Sequence, residues 1–409
     1  MIISNVLVGK QSDQTVLSAD IIFRGKPTQQ AYFKVSDTYK SFVSTDASPF
    51  LAALLLSCMK TRENIYIDGS ISEKLLKNAN EIMIFVSKRK IKMYKIKIRS
   101  KKVIKDSGKP RHIGSFFTGG VNSFYTYLNH QKKKDKITHF ILVHRMDTPH
   151  ENKTFFIKAK STVQKVAKEE KIKVVLVETN IGSIIDKTLV WDFINGGVLA
   201  SIALLLRKNF KKIFIAGAIE SDQLFPNGIS SKLYNLWSTE TLELKNDDVG
   251  YDRLTKITKV ISKSPLALKY LFVCTQNANG KYNCSHCYQC LITMIYLVCA
   301  DSLKQVKTFD KKLDLDLVKK MYFDYKLKHS SQGEAAIILL KNQKRELDLQ
   351  EAIGYSLEKS KKPKLVKRFY QTVTQWDQKY NEQRLHQFVL RINNNNKDTL
   401  FKFLFLKKQ

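Results

Sequence analysis

Hydrophobic and polar positions divide this chain into three stretches. In residues 1–111 short strand-like runs fall at 2–8, 19–23, 31–35 and 64–67, and a longer apolar run at 49–60 predicts a buried helix. Residues 88–111 interleave basic positions with Ile91, Met93, Ile96 and Ile98, which predicts one or two exposed strands. The Gly108-Lys109-Pro110 turn signal marks a boundary. From His112 strands and helices alternate. Strands are expected at 113–117, 138–144, 173–178 and 212–216, and helices at 124–132, 152–170, 196–208 and 253–263. Short continuous β-branched runs between amphipathic helices predict a parallel sheet covered on both faces. Beyond about residue 307 the pattern is helical throughout, at 313–327, 333–343, 348–359, 364–390 and 399–406. In that tail Tyr370, Val373, Trp376 and Tyr380 recur at helical spacing, an apolar stripe that suits packing. The expected architecture is therefore α/β. A small α+β region (1–111) precedes a domain with the parallel sheet (112–306), and an all-helical region follows (307–409).

Ligands on such sheets bind at the carboxyl ends of the strands. At the first such end stands Thr118-Gly119-Gly120-Val121-Asn122-Ser123. Strand, glycine turn and helix in that order build a phosphate cradle. The glycines permit positive φ and close approach of backbone N–H groups, and the helix N-terminus adds unpaired donors and a positive dipole end. Thr118, Asn122 and Ser123 supply side-chain hydrogen bonds and, with a metal, oxygen ligands. The plain alternative is a Gly-Gly turn between an ordinary strand and helix. Asp147, Asn180 and residues 217–222 follow the other strands on the same rim.

Cys274, Cys284, Cys287 and Cys290 form a second constellation, C-x9-C-x2-C-x2-C. Four thiolates on tight loops suit a tetrahedral Zn²⁺. A cubane iron–sulfur cluster is the chemical alternative, and His286 is a substitute for one cysteine. Cys58 and Cys299 lie in apolar helical runs and read as buried thiols.

Composition adds bounds. Of 409 residues, 43% are hydrophobic and 11% aromatic, enough for two or three cored domains and not the balance of a disordered chain. No signal-peptide pattern is seen, and the longest apolar runs are about half the ~20 residues a membrane span needs. The expectation is a cytoplasmic protein with no membrane span. Seventy Lys and Arg against 37 Asp and Glu give a net charge of +33, which favours anionic partners. RNA or DNA contact through a basic surface is one reading. Lysines spread over solvated faces in a Lys-, Ile- and Asn-rich chain is the other.

The glycine segment resembles the Ser-Gly-Gly-x-Asp-Ser signature of the PP-loop ATP pyrophosphatases, the adenine nucleotide alpha hydrolase-like (HUP) superfamily. Thr118 keeps the family's hydroxyl, whereas Asn122 stands where the family has Asp, and a neutral amide is a poorer Mg²⁺ ligand than a carboxylate. A late cysteine knuckle after such a core is similar to that of the 7-cyano-7-deazaguanine synthases of the queuosine pathway. The run Cys287-Tyr288-Gln289-Cys290-Leu291-Ile292-Thr293-Met294 resembles an uncharacterised branch of the superfamily, with Ile292 where Arg is usual. The likeness covers about residues 112–302. It implies an enzyme that adenylates a carboxylate or amide-like carbonyl with ATP, releases pyrophosphate, and lets an amine, ammonia or sulfide displace AMP. Its cofactors would be ATP, Mg²⁺ and a structural Zn²⁺, and its substrate an unidentified small molecule. It assigns nucleotide contacts to Thr118, Gly119, Gly120, Val121, Ser123, Arg253 and Lys256, and catalytic roles to Asn122, Ser123 and Asp147. The plain alternatives are a solvated helix face for Arg253 and Lys256, and a turn residue before Pro149 for Asp147. A fold that has lost turnover and serves as a basic nucleic-acid or protein-binding module is the competing function.

Overall fold

The computed structural model describes residues 1–361 apart from 89–92, 145–152, 186–190, 218–230, 248–249, 275, 277–281, 310 and 324–328. The expected helices at 364–390 and 399–406, with their aromatic stripe, lie outside the described residues.

Ten strands form one sheet: β1 (Ile2–Gln11), β2 (Gln14–Ile22), β3 (Gln29–Ser36), β4 (Ile65–Ser72), β5 (Ile98–Ile104), β6 (His112–Phe116), β7 (His139–His144), β8 (Lys173–Thr179), β9 (Phe210–Ile215) and β10 (Glu243–Asn246). Their order is β10-β9-β6-β7-β8-β3-β2-β1-β4-β5. The first five are mutually parallel. β8 meets β3 antiparallel, β3-β2-β1 is an antiparallel meander, and β4 and β5 run parallel to β1. The sheet is thus mostly parallel, and it runs unbroken past the turn at residues 108–110.

Side-chain pattern explains the two halves. In β7, Phe140 and Leu142 enter one hydrophobic core while Ile141 enters the other, so the strand reads as a continuous apolar run. In β2 Thr15, Leu17, Ala19 and Ile21 are buried and the alternate positions are more open, as for a sheet packed on one face. The common core holds α1 (Ser48–Thr61), α2 (Glu73–Ser87), α6 (Trp191–Leu205) and α7 (Ser231–Leu236) against the sheet. α1 is apolar all round because it is buried from Ser48 to Met59. It crosses α6 so closely that a Cβ on Gly197 would stand 2.6 Å from the Ala52 carbonyl oxygen.

On the other face of the parallel half lie α3 (Val121–Gln131), α4 (Lys153–Glu169), α8 (Arg253–Lys259), α9 (Pro265–Tyr270) and α10 (Tyr288–Cys299), followed by α11 (Leu315–Lys320), α12 (His329–Asn342) and α13 (Leu347–Lys361). The short helix α5 (Ile181–Ile184) follows β8. From β6 the order β8-β7-β6-β9-β10 is Rossmann-like: the chain builds outward to β8, then crosses back to β9 on the other side of β6.

Several elements differ from expectation. α2 is additional, although Leu75, Ala79, Ile82, Met83 and Val86 recur at helical spacing and Ser72 caps it by accepting from the Leu75 N–H. Among the described residues of the expected helix 313–327 only α11 is helical, capped by Asp314. Among its described residues the stretch 88–111 gives one strand, β5. No helix among the described residues is long and apolar enough to cross a membrane.

Candidate functional site

β6 delivers the chain to Phe117, whose ring stacks on Phe140 at 4.0 Å between centroids. The backbone then turns at Gly119 with φ +82°. Gly120 is extended and caps α3, which begins at Val121. Asn122 and Ser123 therefore stand in the first helical turn, three residues earlier than the periodicity suggests. The turn closes on itself: the Thr118 N–H donates to Ser123 Oγ at 3.1 Å, and the two hydroxyls share a hydrogen bond at 3.3 Å.

A cleft of about 290 Å³ opens above this turn. It is lined by Thr118, Gly120, Val121, Asn122 and Ser123 of the turn and α3, by Ala216 after β9, and by Arg253, Phe272, Val273, Cys274 and Gln289. It lies between the carboxyl ends of β6 and β9, where the strand order reverses. That is the crevice in which open α/β sheets bind ligands.

Two cations attend the cleft from α8. Lys256 is only 2% exposed, so it is no solvated helix residue. Its ammonium donates to Asn122 Oδ1 at 3.2 Å and to the Gly217 carbonyl at 3.3 Å, and lies 5.2 Å from the centre of the Tyr125 ring. Arg253 donates through Nη2 to Thr293 Oγ1 at 3.0 Å, while its buried Nε has no hydrogen-bond partner. Burial draws the guanidinium pKa downward, yet arginine stays protonated in proteins. An unpaired buried donor on a cationic wall suits an anionic ligand. Asp147 lies outside the described residues.

Residues 272–274 also line the cleft, and a cluster of four cysteines that could hold a metal ion gathers at their end. Cys274, Cys284, Cys287 and Cys290 are all buried, with their sulfurs within 4.8 Å of one another. The Cys274–Cys287 and Cys284–Cys290 pairs stand 4.0 and 3.9 Å apart. A single tetrahedral ion with ~2.3 Å Zn–S bonds requires sulfurs about 3.8 Å apart. A cubane, in which each thiolate binds a different iron, needs a wider cage. The donor set thus fits one ion such as zinc. His286 is exposed and its Nδ1 pairs with the Cys284 carbonyl at 2.7 Å, so it takes no cysteine's place. Burial holds the Cys284 thiol above its ordinary value, and the Cys287 sulfur, then burial, does so for Cys290. A bound cation reverses that balance by stabilising thiolates. Cys58 and Cys299 are isolated buried thiols, both pushed up to about 12 by burial.

Sequence patterning does not reveal the residue that ties these parts together. Asn283 accepts from the Val273 and Cys274 N–H groups at 2.9 and 3.1 Å and donates to the Leu271 carbonyl at 2.9 Å. Next to it the Tyr282 hydroxyl donates to the Tyr270 carbonyl at 3.0 Å. The Phe272 N–H in turn donates to the Gly119 carbonyl at 2.8 Å. Cysteine knuckle, cleft wall and glycine turn are thus one hydrogen-bonded unit. Gln289 and Phe272, which also line the cleft, carry no motif that singles them out.

No protein-family model matches this chain, and neither a curated protein nor a solved structure does so.

Proposed function

We propose that the cleft binds ATP and that the protein is an adenylating enzyme. The observation that carries this reading is the positive-φ turn at Gly119 leading into the α3 N-terminus at the strand-order reversal, with Arg253 beside it and Lys256 behind it. Backbone N–H groups, a helix dipole and two cations favour a polyphosphate. In the proposed reaction a carboxylate or amide-like carbonyl oxygen attacks the α-phosphorus. The bond from that phosphorus to the bridging oxygen breaks, and pyrophosphate leaves. An amine, ammonia or sulfide then attacks the activated carbon and AMP departs. The residues here hold the leaving pyrophosphate and fix the line of attack, which is where positioning and charge stabilisation act. Arg253 is placed to neutralise charge as pyrophosphate separates.

Zinc, held by the four cysteines, stiffens the wall 271–274 and takes no part in the chemistry. Mg²⁺ enters this reading only as the ion a nucleotide brings with it. The side-chain oxygen of Asn122 already receives an ammonium proton from Lys256, so the residue does not fit a metal ligand.

The test is direct. Zinc-loaded protein, offered ATP and a panel of carboxylates with ammonia or an amine, is expected to release AMP and pyrophosphate in equal amounts. Protein that neither binds ATP by calorimetry nor turns it over would remove this function.

A further inference from the structure

Asn122 carries one side-chain acceptor and two donors. The Lys256 ammonium has only donors, and it bonds the Asn122 oxygen at 3.2 Å. Chemistry thus fixes the amide's orientation, since the reverse would set N–H against N–H. What Asn122 has left for the cleft it lines is its pair of N–H donors. Behind them is a positive charge that is almost wholly buried and anchored on the Gly217 carbonyl. A divalent ion asks for the opposite, an oxygen lone pair with no cation at its back.

We propose that Asn122 and Lys256 form a metal-independent subsite for a phosphoryl anion. Asn122 Nδ2 donates to a phosphate oxygen. Lys256 is a positioning residue: its ammonium holds the amide oxygen and so turns the amide N–H donors toward the phosphate. The subsite rests on the polyphosphate reading of the cleft and deepens it, because it names the form of ligand taken up, a polyphosphate free of bound metal.

The experiment is calorimetric titration of the full zinc-loaded chain with pyrophosphate and, separately, with ATP. Buffers are freed of divalent ions by resin rather than by a chelator, so that the cysteine site keeps its metal, and zinc content is measured at the end. Each titration is repeated with Mg²⁺. The wild type is expected to bind pyrophosphate equally well in both buffers. Asn122→Asp, which turns a donor into an acceptor and sets a carboxylate against the phosphate, should lose about tenfold or more without Mg²⁺, the scale of a charge-assisted hydrogen bond, and recover with it. Lys256→Met should weaken binding in both buffers. If that variant fails to fold by circular dichroism, Asn122→Asp and Asn122→Ala carry the test, the latter weaker in both buffers. Wild-type binding only with Mg²⁺, or an Asn122→Asp variant indifferent to it, overturns the subsite and leaves the adenylating function standing. Metal-free binding of pyrophosphate without binding of ATP does the reverse. Binding of neither overturns both.

Discussion

Gly119 holds a conformation that L side chains rarely adopt, and a Cβ there would also stand 3.1 Å from Thr162 Cγ2. Gly119→Ala is expected to cost about 1–3 kcal/mol of stability. A thermal melt reads that loss, and pyrophosphate titration should show weakened binding in the folded fraction. Arg253 makes a different prediction, because its buried Nε has no hydrogen-bond partner within the protein and, on the proposed function, would face the ligand. Arg253→Lys retains charge but not the fork. It should lower AMP release by about 10²–10³-fold, the usual loss for one transition-state donor, with little change in melting temperature. The turn was legible in the sequence because its parts are contiguous and glycine announces a backbone requirement. The pairing of Lys256 with Asn122 was not, since 134 residues separate them and a lysine on a helix looks the same buried or solvated. Asn283 was illegible for a like reason: its four side-chain partners lie nine to twenty-five positions away.

At the scale of elements, the cysteine knuckle and the glycine turn meet through one backbone bond, Phe272 N–H to Gly119 C=O. If the four cysteines hold a metal, removing it would free four buried thiols and unfasten the end of segment 271–274. Metal-stripped protein should therefore show faster hydrogen exchange at the Phe272 amide and weaker pyrophosphate binding, and both should recover on adding zinc. Retained exchange protection after stripping would uncouple the two sites. The gathering of the four cysteines was readable from spacing alone, and the parallel strands from their doubly apolar runs. β10 was not, because four residues of Glu-Leu-Lys-Asn carry no periodic signal and its place beside β9 is a tertiary outcome. The early start of α3 was hidden because polar Asn122 and Ser123 resemble loop residues until Val121 is seen in the core.

Across the whole molecule one hydrophobic core joins residues far apart in the chain. Phe50 and Leu54 of α1 share it with Leu204 of α6 and Phe210 and Ile213 of β9. A fragment of residues 112–361 is expected to be insoluble, which expression and centrifugation would check. At the strand ends opposite the cleft, His139 is packed among His112, Phe42 and Phe210, and its Nδ1 pairs with Thr138 Oγ1. Burial, then the His112 and Lys173 charges, pulls its pKa from 6.5 down to about 4. The unfolded chain therefore binds the proton first, so stability is full above about pH 6.5 and is lost as pH falls toward 4. Urea midpoints measured between pH 7 and 5 should drop, and His139→Phe should flatten that slope. Strand order was the least legible feature, for nothing local says that β3 will border β8. That border has a consequence for the newborn chain. The Thr179 hydroxyl that closes on the Tyr32 carbonyl is encoded 147 residues later. At ~5–20 residues per second the ribosome needs roughly 7–30 s to deliver it. During that wait β3 offers an unpaired rim to any stranger, and the cell's helpers must shelter it until its own neighbour is made.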